Sequence, residues 1–202
     1  PFVSKAMGIP LAKIAAKVMV GRTLKELGVP LDAPPKYIAV KEPVFPFGKF
    51  PKVNVYLGPE MRSTGEVMAI SRTYGEAMAK AFIGAGGNLA LSGGVFISVH
   101  DNDKNYRLVE VAKGFSKLGF KIFATAGTAA FLGGYGLEYV KLFKVNEGEP
   151  NVVEYIKKGL IHLVVNTPLG ETSRFDELAI GNAALEAKLL MITTISAAAA
   201  AV

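Results

Sequence analysis

The second half of the chain alternates short β-branched or aromatic runs with amphipathic segments, and this alternation restricts the fold more than any other feature. Strands that alternate with helices are typical of an α/β unit, in which crossover helices join parallel strands. Apolar residues at helical spacing from Leu108 to Leu118 indicate one such crossover, and Gly119 ends it. The pattern therefore predicts a doubly wound, mostly parallel five-stranded sheet. Its strands are predicted at residues 95–99, 121–124, 140–145, 161–165 and 190–193.

The first part of the chain shows no such alternation. Closely spaced prolines and glycines between residues 43 and 59 exclude long regular elements there, so loops are expected. Thr73 and Glu76 have the spacing of a capping box, which marks the start of a helix. The elements predicted in this part are a helix over residues 10–20, a strand over 37–40 and a helix from 73 to about 83.

A glycine-rich linker at residues 84–87 separates the two patterns. We therefore predict two domains, a partial α+β unit at residues 1–85 and the α/β domain at residues 86–202. The chain opens Pro1-Phe2-Val3 without methionine, which predicts a piece of a longer protein.

Composition excludes several classes of function. The net charge is +6, but the basic residues are scattered and form no basic run, so nucleic acid is not expected as a partner. There is no cysteine and there are two well-separated histidines, so no metal site is expected within the chain. The longest apolar run, residues 189–202, contains hydroxyl residues and is too short for a bilayer, so no membrane segment is predicted.

Polar side chains follow the predicted strands, at residues 100–104, 125–128, 144–149 and 166–170. The carboxyl ends of parallel strands meet at one edge of a sheet, where α/β proteins bind ligands. Gly127 permits close approach to the backbone, and Thr128 is predicted to cap the next helix, whose N-terminus attracts anions. The sequence therefore predicts a phosphate site at this edge.

Two segments then identify a family. The run Leu-Gly-Pro-Glu-Met-Arg-Ser-Thr-Gly-Glu-Val-Met at residues 57–68 resembles a signature of the carbamoyl-phosphate synthetase large chain, next to its second ATP-grasp core. Residues 1–10 are similar to the segment that follows the family's Asn-Pro-Arg metal-binding motif. The resemblance covers nearly the whole chain. It implies that residues 1–85 complete an ATP-grasp domain and that residues 86–202 form a methylglyoxal-synthase-like domain that binds allosteric effectors.

The resemblance also implies three groups of site residues. The first would hold a nucleotide effector such as UMP or IMP, with lysines on its phosphate: Lys104, Thr125, Thr128, Lys144, Asn166 and Thr167. The second would line the carbamate tunnel: Lys41 and Glu66. The third would form a pocket for an amino-acid effector: Glu42, Thr193 and Thr194. Pro168, Glu171 and Thr172 depart from the pattern of some members, which leaves the identity of the effector open.

The family makes carbamoyl phosphate from bicarbonate and ammonia or glutamine in the cytoplasm, for pyrimidine and arginine biosynthesis. The implied partners are the rest of the large chain and a glutamine amidotransferase small subunit. ATP and Mg or Mn would serve the intact enzyme, with no cofactor in this fragment. Because the Asn-Pro-Arg motif is absent from the chain, the fragment alone is expected to be inactive.

An alternative is that the α/β domain is itself a lyase acting on dihydroxyacetone phosphate. Residues 100–104, His-Asp-Asn-Asp-Lys, resemble the His-Asp-x-x-Lys of methylglyoxal synthase. That reaction needs a carboxylate to remove a proton beside a carbonyl, and Glu149 falls in the region of the base. Its neighbours Pro150 and Asn151 depart from the enzyme's pattern, which favours a regulatory domain.

Overall fold

A fully parallel five-stranded sheet forms the centre of the fold in the computed structural model. The structure describes residues 1–30, 34–47, 60–167 and 174–202, the side chains of residues 174 and 175 excepted. The strands are β1 (Ile38–Val44), β2 (Gly65–Ser71), β3 (Gly94–Ser98), β4 (Lys121–Thr125), β5 (Val140–Leu142), β6 (Leu163–Asn166) and β7 (Leu190–Ile192). The helices are α1 (Phe2–Met7), α2 (Leu11–Met19), α3 (Tyr74–Gly84), α4 (Tyr106–Lys117), α5 (Ala126–Gly133), α6 (Val152–Lys157), α7 (Arg174–Glu186) and α8 (Ile195–Ala200).

The strand order is β5-β4-β3-β6-β7, so the first strand of the sheet lies at its centre. The chain moves outward through β4 and β5, then crosses back to continue through β6 and β7. Helices α4 and α8 contribute to the core on one face, and α6 and α7 to the core on the other. The predicted doubly wound parallel sheet is confirmed.

Every residue of β3 is buried, because helices cover both faces of the sheet. Val95 and Ile97 pack in the cluster that contains Phe115 of α4, whereas Phe96 packs in the cluster that contains Ile180 of α7. This is the period of two that a strand imposes on its side chains. A strand that is buried on both faces points no side chain to solvent, which explains why β3 reads as a nearly continuous apolar run.

Strand β5 is shorter than the predicted range 140–145. It pairs only with the last three residues of β4, and Leu142 lies opposite Thr125. Helix α5 begins at Ala126, so β4 offers no further partner to the residues that follow Leu142. The backbone N–H of Phe143 instead donates to the carbonyl of Pro150, at 3.0 Å.

A separate two-stranded antiparallel sheet, β1 with β2, precedes the parallel one. Strand β1 runs four residues beyond the predicted end at residue 40, and β2 was not predicted from the sequence. Pro43 lies within β1, opposite Glu66, where a proline is tolerated because a two-stranded sheet consists only of edges. The predicted loops therefore begin later than expected, and residues 48–59 lie outside the described part of the chain.

Helix α3 begins where the capping-box spacing predicted, and one of the two bonds of such a box is present, since the Thr73 hydroxyl accepts a hydrogen bond from the Glu76 backbone N–H at 3.3 Å. The Glu76 carboxylate accepts from the Ser71 hydroxyl and pairs with Lys80 at 2.9 Å. The helix packs on the β1–β2 sheet in a third apolar cluster. Leu190, Ala197 and Ala200, from β7 and α8, complete that cluster, so the predicted boundary near residue 85 is crossed by a shared core. The boundary itself stays a prediction.

Helices α1 and α2 bury none of their residues within the described structure. Helix α2 leaves Leu11, Val18 and Met19 exposed on the amphipathic segment that the sequence predicted.

Among the described helices, none combines the length and the apolar character that a bilayer crossing requires.

Candidate functional site

Hydroxyl groups connect the carboxyl ends of the three central strands. The hydroxyls of Ser98 and Thr125, at the ends of β3 and β4, lie 3.2 Å apart and share a hydrogen bond. The Thr128 hydroxyl accepts from the backbone N–H of Val99 at 3.2 Å. Thr125 and Thr128 are both buried, so these bonds fix where α5 leaves the sheet.

Thr167 ties β6 to the same point. Its hydroxyl accepts from the His100 backbone N–H at 2.9 Å, and its own N–H donates to the Ser98 carbonyl at 3.0 Å. Asn166 lies directly beside Ser98 in the register of β3 and β6. The predicted residues Thr125, Thr128, Asn166 and Thr167 are thus brought together around the end of β3.

The predicted cap of α5 is wrong. Thr125 occupies the N-cap position, and Thr128 lies inside the first turn, where its hydroxyl serves Val99. The Thr125 side chain makes no capping bond, since its hydroxyl faces Ser98. The first N–H groups of a helix have no partner within the helix, and here no capping side chain satisfies them. The start of α5 therefore presents backbone donors and a partial positive charge.

Lys104 lies against this helix start. A short 3₁₀ turn, Asp101–Asp103, precedes it and is capped by the His100 imidazole, whose Nδ1 accepts from the Asn102 N–H at 3.1 Å. The Lys104 Nζ is 2.5 Å from Asp101 Oδ1, and a Cβ placed on Gly127 would be 2.9 Å from that Nζ. The close approach expected at Gly127 is thus made by a lysine side chain.

The Asp101–Lys104 pair is unequally exposed. The Lys104 side chain is 20% exposed and that of Asp101 is 85% exposed. The hydrogen bond from Lys104, and then its charge, hold the pKa of Asp101 below its usual value. Asp101 is therefore a carboxylate at neutral pH and serves as the counter-ion of Lys104.

Lys144, beyond the end of β5, has different neighbours. Its backbone N–H donates to Glu147 at 3.2 Å, and its Nζ lies 3.9 Å from the other oxygen of the same carboxylate. Its side chain is about half exposed, at 46%. Its charge also acts on Asp176, in the first turn of α7. Lys144 thus lies at the same edge of the sheet as Lys104 and is paired with a different acid, Glu147.

Asp176 is a residue of this edge that the sequence did not single out. It is buried, and within the described residues its Oδ1 has no hydrogen-bond partner. Burial raises its pKa, while the charge of Lys144 opposes the rise. An aspartate in a first helical turn is so common that its position alone gives no functional signal.

The predicted tunnel residues meet across the two-stranded sheet. Lys41 Nζ lies 2.5 Å from Glu66 Oε2, and the hydrogen bond from Lys41 lowers the pKa of Glu66. Glu42 follows Lys41 in β1 and faces the opposite side, where burial raises its pKa. The alternation of the strand thus separates Glu42 from the Lys41–Glu66 pair.

The other two residues of the predicted amino-acid pocket directly precede α8. Thr194 caps this helix, since its hydroxyl accepts from the Ala197 N–H at 3.2 Å. Thr193 is exposed, directly after β7. The departures noted at Pro168, Glu171 and Thr172 lie outside the described residues.

The structure offers little for metal or lyase chemistry in its described part. No group of three or more histidine and acidic residues could hold a metal ion there. Glu149, expected near the position of a lyase base, is exposed on a loop. A base that removes a proton beside a carbonyl works best when shielded from water, so this exposure does not favour the lyase.

Residues 107–193 match the model of the MGS-like domain. This part of the chain is therefore similar to an MGS-like domain. The matched range contains β4 to β7, whereas the central strand β3 and the turn that carries Asp101 and Lys104 precede it.

The chain is also similar over its whole length to larger proteins. It is 50% identical over 202 residues to the carbamoyl phosphate synthase large chain of Archaeoglobus fulgidus and 51% identical over 203 residues to that of Synechocystis sp., covering 19% of each. It is 50% identical over 208 residues to the C-terminal section of that large chain from Methanopyrus kandleri, covering 38% of it. All of this chain is matched in each case. The predicted resemblance is confirmed, and the chain spans about a fifth of the full-length relatives.

Proposed function

We propose that this chain is the C-terminal part of a carbamoyl-phosphate synthetase large chain, and that its MGS-like domain binds a nucleotide effector by its phosphate. The intact enzyme would make carbamoyl phosphate from bicarbonate and ammonia or glutamine, using ATP. One observation carries the effector site: the uncapped start of α5 lies beside the ammonium of Lys104. Backbone donors, a helix dipole and a lysine together suit a phosphate.

The remaining groups at this edge suit the rest of a nucleotide such as UMP or IMP. Asn166 offers both a donor and an acceptor for a hydroxyl or a base edge. The unpaired oxygen of Asp176 is an acceptor that a ribose hydroxyl would satisfy, which matters because buried polar atoms are rarely left unbonded. Lys144 would add a second positive charge. The hydroxyls of Thr125, Thr128 and Thr167 would position the strands and the helix around the ligand.

The whole enzyme would need partners that this chain does not contain. The exposed apolar residues of α2 suit a surface supplied by the rest of the large chain, and a glutamine amidotransferase small subunit would supply ammonia. ATP and Mg or Mn would bind upstream. Within this chain, Lys41 and Glu66 would line the carbamate tunnel, and Glu42 with Thr193 and Thr194 would bind an amino-acid effector. The cytoplasm is the compartment that this reaction implies.

Titration of the 202-residue chain with UMP and IMP in a calorimeter tests the effector site. We expect saturable binding of at least one of them. Uridine and inosine, which lack the phosphate, serve as matched controls and should bind at least about tenfold more weakly, because a charge-assisted phosphate contact is lost. Equal affinity for nucleotide and nucleoside, or no binding of either nucleotide, would refute this site.

The chain alone should be catalytically silent. We expect no ATP turnover above background, because the nucleotide-binding core would lie in the remainder of the large chain. We also expect no methylglyoxal from dihydroxyacetone phosphate, because the exposed Glu149 is unsuited as its base. Methylglyoxal formation that is lost in Glu149→Gln would instead establish the lyase.

A further inference from the structure

The ammonium of Lys104 lies in an unusual electrostatic position. It is held close to Gly127, in the first turn of α5, and its side chain is largely buried. A helix N-terminus carries about half a positive charge, so a cation beside it is unfavourable. Asp101, 2.5 Å from the Lys104 Nζ, supplies a negative charge that compensates the ammonium and the partial positive charge of the helix start.

We propose that Asp101 is an internal counter-ion that competes with the effector phosphate for Lys104 and thereby sets the affinity of the site. This inference rests on the proposed function, since it concerns the same phosphate. In the free protein the Asp101 carboxylate is paired with the Lys104 ammonium, which is the group that the phosphate would bind. The phosphate must therefore displace this carboxylate from Lys104 or bind next to a like charge, and either course lowers its affinity.

The exposures of the two side chains indicate which one moves. Asp101 is 85% exposed and belongs to a one-turn 3₁₀ element, so its carboxylate can rotate into solvent and be hydrated there. Lys104 is 20% exposed and is confined by α5. An ion pair with one solvated partner is weak. The contact is therefore strong enough to neutralise Lys104 in the free protein and weak enough for a ligand to displace.

The same arrangement discriminates between anions. A singly charged anion that replaces Asp101 exchanges one negative charge for another at the ammonium and gains little. A phosphate monoester, which carries close to two negative charges at neutral pH, satisfies Lys104 and the start of α5 together. Asp101 thus makes the site selective for phosphate monoesters over carboxylates and other monoanions.

Removing the charge of Asp101 tests the inference. Calorimetric titration of the full chain with UMP, IMP and acetate would compare the unaltered protein with Asp101→Asn, Asp101→Glu and Asp103→Asn. Asp103 is the matched control because it carries the same charge in the same turn, whereas the acid that pairs with Lys104 is Asp101. We expect Asp101→Asn to bind the nucleotide about three- to tenfold more tightly and to gain affinity for acetate. Asp101→Glu should stay within about threefold of the unaltered protein, and Asp103→Asn within about twofold.

The outcomes separate the two proposals. If the unaltered chain binds UMP or IMP and Asp101→Asn binds it no more tightly, the counter-ion inference fails and the proposed function stands. An equal gain of nucleotide affinity in Asp103→Asn would also overturn the inference, because the change in net charge alone would then explain the gain. If neither the unaltered chain nor Asp101→Asn binds UMP or IMP, both proposals fail. If only Asp101→Asn binds, the unaltered chain has no working effector site, so the proposed function fails and the inference that rests on it fails as well.

Discussion

Replacing Lys104 by methionine is expected to weaken nucleotide binding about ten- to a hundredfold, which corresponds to roughly 1.5–3 kcal/mol for a charge-assisted hydrogen bond. Methionine keeps an unbranched apolar side chain beside Gly127, so the start of α5 should not shift. Calorimetric titration of the chain with UMP and IMP measures the loss. Lys144→Met should cost less, because the Lys144 side chain is 46% exposed and that of Lys104 is 20% exposed.

The control is Lys113→Met on the exposed side of α4, which removes the same charge from the same domain. In the enzyme assembled with the rest of the large chain, Lys104→Met and Lys144→Ala should abolish the response to the effector and leave basal turnover near normal. Coupling between two sites is typically worth about 1–3 kcal/mol, so the loss of lysine contacts of similar strength that differ between the two states suffices for this. Unchanged nucleotide affinity together with lost basal turnover would contradict the regulatory assignment of these lysines.

Replacing Gly94 by alanine is expected to lower the free energy of unfolding by about 3 kcal/mol or more, because the added methyl group has no room. Gly94 begins β3, the central strand. A Cβ there would lie 2.1 Å from the carbonyl oxygen of Leu160 and 2.7 Å from the Phe123 ring. The first of these atoms is backbone and cannot rotate away, so the central strand itself must move. Chemical denaturation followed by far-ultraviolet circular dichroism measures the change.

Gly65→Ala provides the comparison for Gly94→Ala. A Cβ at Gly65, the first residue of β2, would meet no atom within 4 Å. Its effect should stay within about 0.5 kcal/mol, as for most exposed substitutions. If both alanine variants denature at the same concentration, the close packing at the start of β3 does not control stability.

The parallel sheet could be predicted because its strands are short apolar runs separated by amphipathic helices, a pattern that sequence alone displays. The strand order was not predicted, because several orders satisfy the general rules for parallel crossovers. Strand β2 could not be predicted, because its outward face carries Glu66, Met68 and Ile70 and so lacks the apolar and polar alternation of a half-buried strand. The length of β5 depended on where its neighbour β4 ended, which is a tertiary property.

The sequence predicted at which edge of the sheet the candidate site lies, but it did not predict the contacts within the site. Four strand ends placed Lys104 and the threonines at one side of the sheet because parallel strands share a direction. The sequence did not show that the threonine hydroxyls are used to join strands, or that Asp101 pairs with Lys104. Asp176 was missed because burial, the property that distinguishes it, arises only when α7 packs on the sheet.

The alanine run of α8 lies between two cores. Ile195 and Ala198 enter the core that α4 shares, while Ala197 and Ala200 pack on the cluster formed by α3 and the β1–β2 sheet. Alanine has no side-chain rotamers, so an alanine helix cannot absorb a displacement by repacking its own side chains. A shift of α8 must therefore be passed on to α3 or leave a void, and closely packed interiors resist voids. The packing of helix α8 thus couples the position of the antiparallel sheet to that of the parallel sheet.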